Sequence, residues 1–146
     1  MLIQILLGVG LILATTVVAG LGFLVIETML DRFQNWLLRP PHAIKMLVLL
    51  CSSVTWFLLI VTIAVWIWAI AFLALDIFVT VEAAVYFSIV SFTTLGFGDI
   101  LLPQDWRLLA GMSAINGLLM IGLQAAMLIE ALRRIRTIQV NARNRP

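Results

Sequence analysis

The chain has 146 residues, 64% of them apolar and only 11% charged, with a formal net charge of +2 and a mean hydropathy of +1.18. A soluble globular chain is nearer half apolar and about a quarter charged, so polar side chains are too few to cover an exterior in water, and lipid must be the solvent for much of the surface. No basic stripe with interleaved aromatics is present, which argues against a nucleic-acid partner, and the single cysteine, Cys51, excludes an intrachain disulfide.

Three apolar stretches each exceed the roughly 20 helical residues that a bilayer crossing takes. They run from Leu2 to Ile26, from Met46 to Leu75 and from Leu108 to Ile129, all without a charge. The first lacks a basic leading region and a small-residue cleavage site, so it reads as a retained transmembrane helix rather than a signal peptide. Its Gly8, Gly20 and Gly22 suit close contact with another helix. The second is longer than a straight crossing needs and is expected to tilt or project.

Residues 28–45 separate the first two spans. Met29, Leu30, Phe33, Trp36 and Leu37 share one helical face there, which predicts an interfacial amphipathic helix stopped by Pro40 and Pro41. Arg32, Arg39 and Lys45 lie in this connection and five arginines follow residue 132, whereas only Arg107 lies between the second and third spans. The positive-inside rule then puts the connection and the C-terminus in the cytoplasm and the N-terminus outside. Trp36 is expected at the inner interface and Trp66, Trp68 and Trp106 near the outer one, while Trp56 falls nearer mid-membrane and is expected between helices.

The segment before the last span carries the chemistry. Thr80 is placed to cap a short helix over 81–92, with Glu82 in its first turn. That helix cannot cross a bilayer, and it leads into Thr93-Thr94-Leu95-Gly96-Phe97-Gly98-Asp99. Irregular backbone at membrane depth is tolerated only where protein or a water-filled path surrounds it. A row of carbonyls on such a path can replace the water shell of a cation. Gly96 and Gly98 can adopt positive φ, which lets successive carbonyls face one way with Leu95 and Phe97 turned aside. Asp105 suits an N-cap for the last span, and Asp76, Glu82, Asp99 and Asp105 would draw cations toward an outer mouth.

The run from Tyr86 to Asp99, YFSIVSFTTLGFGD, resembles the pore-helix and filter signature of the potassium-channel superfamily. The resemblance covers roughly residues 46–135, the two-transmembrane ion-channel domain, with one additional transmembrane helix before it. It implies an all-α membrane protein of three transmembrane helices plus a re-entrant pore helix and filter loop, assembled as a homotetramer. The division expected is an extra helix over 1–27, the interfacial linker 28–45, the pore module 46–135 and a basic cytoplasmic tail 136–146. Within the module the outer helix takes 46–75, the pore helix 81–92, the filter 93–99 and the inner helix 105–135.

By the same resemblance, the carbonyls of Thr94, Leu95, Gly96 and Phe97 and the Thr94 hydroxyl would hold potassium ions, with Thr93, Gly98 and Asp99 in support. Gly117 stands where such channels place a hinge and Gly122 where they pack closely. Met120 and Ala125 would face the cavity, and Gln124 that cavity or a neighbouring helix. Two departures bear on Asp99: Val90 stands where some members carry an acid that pairs with this aspartate, and Phe87 where many carry tryptophan. On that pattern Asp99 would be held less firmly.

No nucleophile–base pair, phosphate loop, metal-ligand spacing or arginine-repeated helix is visible, and His42 is the only histidine. The chain therefore reads as no enzyme, needing no cofactor beyond potassium ions in the filter. It is expected in the plasma membrane of a prokaryote, with the gating stimulus and any regulatory partner unspecified. The alternatives are a weakly selective cation channel and a non-conducting membrane scaffold or partner subunit.

Overall fold

The computed structural model describes residues 1–32 and 42–143. Among these are four α-helices and no strand: α1 (Leu2–Arg32), α2 (His42–Ala74), α3 (Val81–Phe92) and α4 (Arg107–Arg143), the last preceded by a 3-10 turn over Gln104–Trp106. Three stretches are long and apolar enough to span a membrane: Leu2–Met29, Leu47–Ala74 and Gln104–Arg133. The first two, at 28 residues each, would each measure about 42 Å at 1.5 Å per residue, more than the ~30 Å of a hydrocarbon core. The interfacial helix expected before Pro40 falls largely on residues 33–41, outside the described ones. Helix α4 continues to Arg143, past the end expected at 135, because no glycine or proline interrupts it there.

The core forms where α2, α3 and α4 meet. Ile60, Ala64, Trp68 and Phe72 recur every fourth residue and bury one face of α2. Phe72 meets Phe87 of α3 edge-on at 5.4 Å between ring centroids and Phe78 at 6.0 Å, while Trp68 lies 5.8 Å from Phe72. These geometries suit the aromatic quadrupole, and the cluster fixes the short helix against the long one. Trp68 was expected at the outer interface. Its side chain is fully buried, because its position in the four-residue repeat aims it at Phe72. Trp66, off that face, remains exposed.

The turn after α2 is a helix stop. Ile77 N–H bonds the Phe72 carbonyl at 3.1 Å and Asp76 N–H the Leu73 carbonyl at 3.0 Å, with Asp76 at φ 53°. That is a Schellman arrangement with aspartate where glycine is commonest. Asp76 thus turns the chain toward α3. Thr80, extended at φ −114° and ψ 144°, then starts α3 by accepting a bond from Ala83 N–H at 3.3 Å. Asp105 does not cap the last span: it lies inside the 3-10 turn, which Pro103 precedes with no side-chain cap.

Helix α1 lies at the edge of the bundle, with 17% of its most apolar stretch buried. It nonetheless approaches closely. A Cβ on Gly22 would stand 2.6 Å from Ile60 Cδ1, and Trp56 Nε1 donates to the Gly22 carbonyl at 3.2 Å. Gly8 faces Met112, whereas Gly20 has open space beside it.

Candidate functional site: the loop after the short helix

Helix α3 ends at Thr93 (φ −81°, ψ 0°), and the residues that follow return their N–H groups to its last carbonyls. Thr93 N–H bonds Ile89 O at 2.9 Å and Thr94 N–H bonds Ser91 O at 2.9 Å. Leu95 and Gly96 both donate to Val90 O, at 3.0 and 3.4 Å. The Thr93 hydroxyl adds a bond to Ile89 O at 2.8 Å. Four successive donors are therefore consumed on the helix side. Among the described residues, no backbone donor outside the regular helices reaches the carbonyls of 93–98.

The backbone alternates along this loop. Thr94, Gly96 and Gly98 have φ of 57°, 53° and 78°, whereas Leu95 and Phe97 stay negative. Alternation of handedness gathers the N–H groups on one side of a chain and leaves the carbonyls on the other. The two glycines take this conformation without a Cβ penalty. Thr94 does not: a β-branched residue in the left-handed region costs on the order of 1–2 kcal/mol. Its place in the i, i+2, i+4 series with Gly96 and Gly98 was the available signal, hidden by its side chain.

In the single chain all of residues 93–99 are exposed, with Leu95 57% and Phe97 66% accessible.

Asp99 is held, and not through residue 90. The Tyr86 hydroxyl donates to Asp99 Oδ2 at 2.6 Å, a charge-assisted bond of short geometry. This bond holds the carboxyl below its ordinary value of 3.8, helped by the amides of Asp99 and Ile100, and raises the Tyr86 phenol above 10.0. The expectation of a weakly held Asp99 is corrected by the one tyrosine in the chain, which sits four residues before Val90 on α3. Val90 is buried, and its carbonyl is the double acceptor behind the loop. Phe87 joins the aromatic core.

On α4, Gly117 is buried against the end of α3. A Cβ there would fall 2.6 Å from the Phe92 carbonyl carbon and 2.8 Å from its Cα, one residue before the loop. No side chain cushions that contact. Gly122 has nothing within 4 Å and lies on an exposed face with Ala125. Met120, expected toward a cavity, is 1% exposed and packs in the core, because it follows Asn116 by one helical turn on the inward face. Gln124, the next turn along, is buried as well and so lies between helices. Among the described residues no cluster of three or more metal-ligating side chains occurs.

A family model described as "Ion channel" matches residues 47–134, which takes in most of α2, α3, the loop and most of α4. Neither the curated proteins nor the solved structures compared with the chain give a match. The match covers more than half of the sequence and coincides with the re-entrant arrangement of helix, loop and helix. The chain belongs to the ion channel family, with a further apolar helix ahead of its channel domain.

Proposed function

We propose that the chain is one subunit of a homotetrameric channel that conducts potassium ions passively and selectively. The observation that carries this reading is the alternating φ of residues 94–98, with the donors behind it spent on the α3 carbonyls. Four copies around one axis would present carbonyls of Thr94, Leu95, Gly96 and Phe97, and the Thr94 hydroxyl, as stacked sites that replace the hydration shell of the ion. Thr93 and Gly98 would hold the ends of the row, and Asp99, tied to Tyr86, its outer side. The exposed Leu95 and Phe97 side chains would be covered by the neighbouring subunit.

Conduction then needs no chemistry beyond ion exchange between adjacent sites, with entering ions displacing those ahead. The basic residues favour a multi-pass protein of the plasma membrane, with the N-terminus outside and the C-terminus in the cytoplasm. Gly117 serves as a packing residue at the foot of the filter. The test is flux from proteoliposomes of the purified protein. Potassium efflux that barium blocks and sodium does not match is expected. Equal sodium and potassium flux would establish a weakly selective cation pore, and no flux from assembled tetramers would favour a scaffold.

A further inference from the structure

Helix α1 lies outside the matched channel domain, yet it makes a buried polar contact with the helix that supports the loop. Thr15 of α1 and Asn116 of α4 are both 0% exposed. Asn116 Nδ2 donates to Thr15 Oγ1 at 2.9 Å, and Thr15 Oγ1 lies 3.1 Å from Asn116 Oδ1. The Thr15 hydroxyl also lies 2.9 Å from Ile12 O and 3.1 Å from Leu11 O, within its own helix. A hydroxyl has one proton, so the consistent assignment is donation to a carbonyl of its own helix, Ile12 O being the nearer, and acceptance from Asn116. Asn116 thus depends on α1 for a partner in an apolar surrounding, where an unpaired amide is costly.

The next residue, Gly117, abuts the Phe92 backbone, and Phe92 immediately precedes the loop. The path is short: α1 hydroxyl, α4 amide, α4 backbone, end of α3, filter. Its last step is backbone against backbone, so no rotamer change can absorb a displacement of α4. Thr16, one residue along, bonds Ile12 O in its own helix and is exposed. That contrast isolates the contact to Thr15.

We infer that Thr15 and Asn116 are positioning residues for the filter, through which α1 holds α4 against Phe92 and biases the loop toward its conducting form. The inference goes beyond the conduction reading and rests on it only for its electrical readout. The test uses full-length protein in planar bilayers, comparing Thr15→Val, Asn116→Leu, the double variant, Thr15→Ser and the control Thr16→Val. Each disruptive variant is expected to lower the ratio of open to closed time by about three- to tenfold, the range for one interhelical hydrogen bond in lipid. Unitary conductance is expected to stay unchanged. The double variant should match the singles, because both remove one bond, and Thr15→Ser should restore wild-type gating.

Amide hydrogen exchange at Leu95 and Gly96 supplies a readout independent of current, and should accelerate in Thr15→Val but not in Thr16→Val. Lower thermal stability with unchanged gating and unchanged exchange would show a purely structural contact and overturn the inference. So would double-variant effects equal to the product of the singles. If the wild type carries no current, the conduction reading fails, and the exchange comparison alone decides the coupling.

Discussion

Replacing Gly117 with alanine drives a methyl carbon into the backbone at the end of α3, one residue before the proposed filter. The new atom would overlap the Phe92 carbonyl oxygen, its nearest neighbour, and stand 2.6 Å from the carbonyl carbon and 2.8 Å from Cα, where carbon–carbon contacts settle at roughly 3.5–4.0 Å. Clearing the carbonyl carbon alone takes about 1 Å of displacement, and clearing the oxygen takes more. Both sides of the contact are main chain, so α4 must back away or the end of α3 must shift. Overpacking of this kind costs about 1–3 kcal/mol, against ~1 kcal/mol gained by alanine over glycine in a helix interior. The net loss reaches about 2 kcal/mol at the upper end.

The loss is measured as the fraction of assembled protein that survives heating in detergent, alongside potassium flux from proteoliposomes. Gly10→Ala is the matched control, since Gly10 lies on an exposed face of α1 with nothing within 4 Å. Gly117→Ala should lower both stability and flux, and Gly10→Ala should leave both at or above wild type. If Gly117→Ala is as stable as Gly10→Ala and conducts normally, the close contact does not support the filter.

Tyr86→Phe removes the hydroxyl that holds Asp99, and should speed the decline of potassium current during sustained conduction while potassium selectivity is kept. The same bond sets a pH window. The lowered carboxyl contributes stability above its ordinary 3.8 that is lost as pH falls through its folded value, and the raised phenol contributes stability below its ordinary 10.0 that is lost as pH rises through its folded value. Wild-type current should therefore persist between those limits, and an acid midpoint that Tyr86→Phe leaves unmoved would contradict the role of the bond. Gly98→Ala forces a side chain to φ 78°, a strain of about 1–2 kcal/mol, and should abolish flux or admit sodium in the proteoliposome assay. Trp56→Phe deletes the indole bond to the Gly22 carbonyl and should lower thermal stability modestly, by about 0.6 kcal/mol, without altering selectivity.

The three long helices were legible because uninterrupted apolar length is a strong signal that tertiary context does not override. Thr80 announced the short helix for a similar reason: capping is local chemistry. What escaped were contacts set by helix rotation. Trp68 and Met120 sit in stretches apolar on every side, so composition does not say which face meets protein and which meets lipid. The Tyr86–Asp99 bond spans a helix turn and a loop reversal, and no spacing rule encodes it. Thr94 at positive φ was masked by a residue type that ordinarily avoids that region. The Thr15–Asn116 bond joins residues 101 positions apart, in segments that looked purely apolar.

The most direct test of a fourfold potassium pore is an image of the assembled protein in lipid with potassium present. Four copies around one axis are expected, with ion density beside the carbonyls of Thr94, Leu95, Gly96 and Phe97 and with Tyr86 bonded to Asp99 in every copy. An assembly without fourfold symmetry, or a fourfold one whose loop carbonyls turn from the axis and hold no ion, would contradict it.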